Sequence, residues 1–87
     1  MTVVDITEMV RKDVPIYYRR VYDGKAIVEF AGKKHDMQIS WVIETSPLGI
    51  KETVINLAGQ VDYPLLPLLK EIKKKIEYLD SEGKLPL

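Results

Sequence analysis

The sequence predicts an α+β fold. It reads as a four-stranded antiparallel meander with a short N-terminal helix and a long C-terminal helix packed on one sheet face, in the order α-β-β-β-β-α. Three observations predict it. Residues 15–58 are rich in strand formers and are broken by short glycine-containing turns. Residues 62–80 carry apolar side chains at helical spacing. The chain has 87 residues, 46% of them hydrophobic and 30% charged, which suits one ordinary core spanning residues 1–87 and leaves no material for a second domain.

The elements follow in order. Asp5-Ile6-Thr7-Glu8 has the acidic first turn of a helix, and Ile6, Met9 and Val10 recur at helical spacing, so a helix is expected over 5–12. Asp13 and Pro15 end it. Residues 15–21 are extended. Asp23-Gly24 is a strong two-residue hairpin signal, and residues 25–31 form the return strand. Gly32-Lys33-Lys34 makes a second tight turn. Residues 35–45 alternate Met37, Ile39, Trp41 and Ile43 with polar neighbours, as a half-buried strand does. Ser46-Pro47-Leu48-Gly49 suits a type I turn before a strand over 51–58, which Gly59 closes.

In the last element Leu65, Leu68, Leu69, Ile72, Ile76 and Leu79 fall on one stripe of a helix. Pro64 and Pro67 argue for a rigid turn at Asp62–Leu66, with the regular helix beginning near Pro67. Gly83 ends it, and residues 84–87 read as a loose tail or a docking strap.

Faces follow from the pleat. A turn at Asp23-Gly24 sets Val21 opposite Ala26 and Arg19 opposite Val28. That face, extended by Trp41, Ile55 and Leu57, takes the long helix, with Arg19 as its misfit. The other face receives Ile16, Tyr18, Arg20 and Tyr22, then Lys25, Ile27 and Glu29, then Val42, Glu44 and Val54. It is too apolar for a fully solvated face. Either the N-terminal helix covers it through Ile6, Met9 and Val10, or a partner does. The candidate interface is Ile16, Tyr18, Ile27, Val42 and Val54, with Leu48 and Leu66 as outlying contacts.

Most chemistry is excluded by composition. There is no cysteine, which removes disulfides and thiolate sites, and a single histidine. His35 reads as solvent-exposed. It and Asp36 are adjacent strand residues and point to opposite faces, and His35 with Ser40 fails as a nucleophile–base pair for the same reason. Glu29 and Glu44 share a face but read as surface acids. The glycines are isolated turn residues, so no phosphate loop is present. No cofactor, metal or catalytic residue is expected. The N-terminus shows no signal-peptide pattern and no stretch is long enough to span a bilayer, so the cytoplasm is the expected compartment.

Thirteen basic and thirteen acidic residues cancel. One constellation still suggests a ligand: Tyr18, Arg20 and Tyr22 on one face, Lys25 opposite Tyr22, and Lys33 and Lys34 at the next turn. Aromatic rings and guanidinium planes stack unpaired bases, and lysines hold phosphates. Four antiparallel strands followed by a helix also resembles, in element order, the small single-strand-binding coactivator domains. That resemblance implies single-stranded nucleic acid as a ligand. Against it stands the neutral total charge, which offers little attraction to a phosphate backbone. The leading expectation is therefore a non-enzymatic protein-interaction module that forms a homodimer, with single-stranded nucleic-acid binding through the first hairpin second and a small enzyme third.

Overall fold

A computed structural model describes residues 2–58 and 65–87. Its elements are the strands β1 (Thr2–Lys12), β2 (Arg19–Phe30), β3 (Lys33–Thr45) and β4 (Lys51–Leu57), followed by one helix, α1 (Leu65–Ser81). The strands form one antiparallel sheet in the order β1-β2-β3-β4. The α+β class, the four-stranded meander and the C-terminal helix match expectation. Two of the strands do not.

The segment expected as an N-terminal helix is β1. Its apolar residues recur every three positions because the strand is bulged twice, between Val3 and Asp5 and between Thr7 and Val10. Each bulge inserts an extra residue and resets the alternation of faces. Ile6 is consequently buried in the core with Val3 and Met9 packed against it. Glu8, in the second bulge, has a φ of 51°. A spacing of three is the helical signature, and here two bulges imitate it.

The hairpin expected at Asp23-Gly24 is absent. β2 runs straight through that dipeptide, with Asp23 opposite Ser40 and Gly24 opposite Ile39. The glycine serves close approach, not chain reversal. A Cβ on Gly24 would lie 2.9 Å from Trp41 Cζ3 and 3.1 Å from Cη2, so the indole rests on bare backbone. Tyr22 stacks on the same indole, with ring centroids 5.4 Å apart and planes 15° from parallel.

The true reversal after β2 is Ala31-Gly32, one residue before the expected turn. Their φ values of 53° and 76° suit a type I′ turn. The β3–β4 turn is as the sequence suggests. Gly49 N–H donates to the Ser46 carbonyl at 2.9 Å, and Gly49 has a φ of 83°. Ser46 Oγ accepts from Leu48 and Ile50 N–H at 3.2 Å each, which braces the loop.

The rigid turn expected over Asp62–Leu66 lies mostly outside the described residues, and its last two residues already belong to α1. Pro67 sits in the first turn, where its missing N–H forfeits no intrahelical bond. Leu68, Ile72, Ile76 and Leu79 are buried against Tyr22, Ala26, Val28, Ile39, Trp41 and Ile43. Leu65, expected on this stripe, is half exposed. The helix ends in a Schellman motif: Lys84 N–H donates to the Leu79 carbonyl at 2.8 Å and Gly83 N–H to that of Asp80 at 3.1 Å. Leu85 then packs into the core, so the segment 84–87 is anchored there, while Leu87 is exposed. The backbone of α1 comes nearest the outer strands β1 and β4, so the sheet wraps its edges toward the helix.

One charged clasp ties the helix end to the sheet. Arg20 donates to both oxygens of Asp80, at 3.0 and 3.2 Å, and Lys51 Nζ reaches Oδ2 at 3.0 Å. Arg20 also donates to the Tyr22 hydroxyl at 3.3 Å. An acid in a last helical turn opposes the helix dipole, and these two cations offset that. The Arg20 hydrogen bond holds the Asp80 carboxyl below its usual range, with Lys51 adding to the effect, and the Asp80 contact raises Arg20 in turn.

Two sets of measurements check this packing. Ile72→Ala removes a fully buried side chain and should cost about 2–5 kcal/mol in denaturant melts. Gly24→Ala should cost about 1–3 kcal/mol by forcing the indole from β2. A Gly24→Ala protein as stable as its parent would show that Trp41 does not depend on the bare strand. For the clasp, a carboxyl depressed in the folded state stabilises above its unfolded value and loses that contribution as pH falls through the folded one. Asp80→Asn should therefore cost about 1–2 kcal/mol at pH 7, since both groups keep some contact with water. The gap between parent and variant should begin to close below about pH 4. A gap that stays constant down to acid unfolding would place the loss elsewhere.

Candidate interaction surface

With β2 continuous, strict alternation decides its faces. Arg20, Tyr22, Gly24, Ala26 and Val28 look toward the helix, and Tyr22, Gly24, Ala26 and Val28 are buried. Arg19, Val21, Asp23, Lys25, Ile27 and Glu29 look the other way. Strand register sets their neighbours. From one end of the sheet to the other the rows are Arg19–Glu44–Glu52, Lys12–Val21–Val42–Val54, Val10–Asp23–Ser40–Asn56, Thr7–Lys25–Gln38, Asp5–Ile27–Asp36 and Thr2–Glu29–Lys34.

No described element lies over this face. The residues expected to cover it form β1, which is part of the sheet itself. Val10 is 59% and Val54 52% exposed, and Val21, Ile27 and Val42 are half-buried by their strand neighbours alone. The charges between them are paired within the chain: Lys12 with Asp23 at 3.2 Å, Lys25 with Glu8 at 2.7 Å, and Arg19 with Glu44 at 3.6 Å. The Glu8 carboxylate raises the Lys25 ammonium above its ordinary value. Glu44 and Glu52 face each other across β3 and β4, an unfavourable like-charge pair that Arg19 relieves from one side.

The candidate interface residues divide three ways. Ile27, Val42 and Val54 do share the open face. Tyr18 and Leu48 line a groove of about 750 Å³ at its end, together with Tyr17, Ile50, Glu44 and Glu52. The groove walls are held by Thr45 N–H donating to the Tyr18 carbonyl at 2.9 Å and by the braced 46–50 turn. Ile16 lies in the loop before β2, its carbonyl accepting from Arg19 N–H at 3.1 Å, and Leu66 is exposed on α1. Val10 and Val21 complete the apolar surface and were missed by sequence reasoning. The signal was present: 19–29 alternates without interruption once Gly24 is accepted as a strand residue.

The stacking platform is not assembled. Tyr22 is fully buried against Trp41, and Arg20 is engaged with Asp80 on the helix side. Lys25 is on the opposite face, and Lys33 and Lys34 sit at the far turn. Tyr18 is half exposed and meets Tyr17 edge to face at 5.7 Å. The misfit assigned to Arg19 belongs instead to Arg20, and the clasp resolves it. Glu29 and Glu44 lie in the two end rows, so they form no carboxylate pair. His35, opposite Val28, is half-buried on the helix side rather than exposed, while Asp36 faces out and Ser40 lies on the open face.

Among the described residues there is no cluster of histidine and carboxylate side chains suited to a metal ion. No helix among them is long and apolar enough to cross a membrane. No curated protein and no solved structure matches the chain. A family model does match, over residues 1–81, and on that coverage the chain belongs to the BB_0187 family.

Proposed function

We propose that the protein is a non-enzymatic interaction module that self-associates through the open face of its sheet. The observation that carries this reading is the helix-free face, where Val10, Val21, Ile27, Val42 and Val54 remain uncovered by any described element. A sheet solvated on one side ordinarily carries polar residues there. Five β-branched side chains on such a face lose free energy to water that a partner surface recovers, at about 25 cal/mol per Å² of apolar area covered.

The charged rows also argue for a partner with opposing charge over a nonspecific hydrophobic contact. They keep the isolated chain soluble and penalise a misaligned contact. Val42 stands in the row with the most apolar neighbours, between Val21 and Val54.

Sedimentation equilibrium tests the proposal. The parent should run as a dimer, and Val42→Glu should run as a monomer with an unchanged circular-dichroism spectrum. A monomeric parent at concentrations of tens of micromolar would overturn self-association. A Val42→Glu dimer as tight as the parent would remove this face from the contact.

A further inference from the structure

The charges of the open face are arranged antisymmetrically along β2. Outward-facing residues read Arg19, Val21, Asp23, then Lys25, Ile27, Glu29. Each half is a cation, an apolar residue and an anion. Reversing the strand about Gly24 places Arg19 on Glu29, Val21 on Ile27 and Asp23 on Lys25. Every charge on the strand meets its opposite, and the two apolar positions meet each other.

The neighbouring strands are compatible with the same line. On β3 the reversal places Lys34 on Glu44 and Gln38 on Ser40, while Asp36 falls on Val42, away from the centre. On β1 it places Asp5 on Lys12, because Asp5 shares a row with Ile27 and Lys12 shares one with Val21. No charged residue of β1, β2 or β3 on this face falls on one of like sign.

We infer that two copies of the chain pack their open faces together about a two-fold axis that runs perpendicular to the strands and crosses β2 over Gly24. This rests on the self-association proposed above and specifies its partner surface. Such an axis lays β2 of one copy across β2 of the other in reverse direction. A contact of this kind is isologous, so each charge pair occurs twice.

Two features favour the region around Gly24 as its centre. The sheet wraps toward the helix, so the open face bulges outward and two such faces meet best at the middle. Facing sheets also cross at about 30°, which separates the strand ends but leaves pairs near the axis in place. Asp23 and Lys25 flank the axis on either side. Their intrachain partners, Lys12 and Glu8, are exposed, and exposed ion pairs hold little energy, so sharing with a second copy forfeits little.

A two-fold axis parallel to the strands, between β2 and β3, is the competing arrangement. It also avoids like charges. However, it sets Asp23 on Ser40 and Lys25 on Gln38, which leaves the central charges unmatched.

Charge exchange between chains separates these cases. Asp23→Lys and Lys25→Asp are made singly, with circular dichroism and thermal melts confirming the fold. Under the inferred axis each variant sets like charges against each other twice and should weaken the dimer by at least about tenfold. Mixing the two variants in equal amounts should restore a dimer of one chain of each kind. The introduced lysine of one chain then meets the introduced aspartate of the other, and the remaining native Lys25 meets the remaining native Asp23. Sedimentation with one chain fluorescently labelled reads this directly. Should either variant fail to fold, Arg19→Glu mixed with Glu29→Arg makes the same exchange at the strand ends. Restoration on mixing supports the axis. Single variants that dimerise like the parent, or a mixture that stays monomeric, overturn it. If the parent dimerises and Val42→Glu does not, the open-face proposal survives that result. A monomeric parent removes both.

Discussion

The Trp41 indole lies on a strand position that has no side chain, and much of the architecture depends on that contact. Gly24 must be part of an extended strand for the ring to reach β2, so β2 cannot reverse there. A continuous β2 fixes which of its residues look toward the helix. Tyr22 is thereby brought onto the indole and Arg20 is brought under the helix terminus. The core is then completed by Leu68, Ile72 and Ile76 from above. Deleting one Cβ therefore determines the parity of the strand, the anchoring of α1 and the identity of every β2 residue on the opposite face.

The same contact explains how much of the fold was legible. The class, the sheet type, the approximate extents of β3 and β4 and the C-terminal helix follow from local pattern, because those segments obey a single period. Four strands were expected and four are found, but by compensation: β1 was read as a helix and β2 as two strands. Asp-Gly is a turn signal when the glycine supplies a positive φ. Here it supplies empty space for a ring seventeen residues away in the chain, which no local rule registers. In β1 the bulges place Val3, Ile6 and Met9 on one side at intervals of three, and amphipathic periodicity alone cannot separate that from a helical stripe. The candidate surface inherited both errors. Ile27, Val42 and Val54 were assigned correctly because they lie on segments whose parity was right, and Tyr22 and Val21 exchanged faces because theirs was not.

Edges and face differ in what they offer a partner. The outer edge of β1 is interrupted twice, has Glu8 in a left-handed conformation and ends in Arg11 and Lys12. Bulges and charges of this kind protect a sheet edge against pairing with another chain. β4, the other edge, is seven residues long and begins with Lys51 and Glu52. Neither edge is a long flat apolar strand. The open face, by contrast, joins half-buried and exposed apolar side chains across the strands. Edge pairing is thus discouraged where the backbone is unpaired, while association is left to the face, whose side chains select register.

That selectivity has a physical basis in the weakness of the individual charges. Lys12–Asp23, Lys25–Glu8 and Arg19–Glu44 are solvated pairs, each contributing at most about 1 kcal/mol to the isolated chain. They are not what holds the fold, which rests on the core beneath α1. Their role is energetic only when a second surface excludes water. The same groups then interact through a lower effective dielectric, and a mismatch of sign becomes costly. A face built only of valines would attract any apolar surface in any orientation. A face on which cations, apolar residues and anions recur in antisymmetric order tolerates few orientations of a second copy. The apolar rows therefore supply the tendency to associate, and the charges around Gly24 determine how.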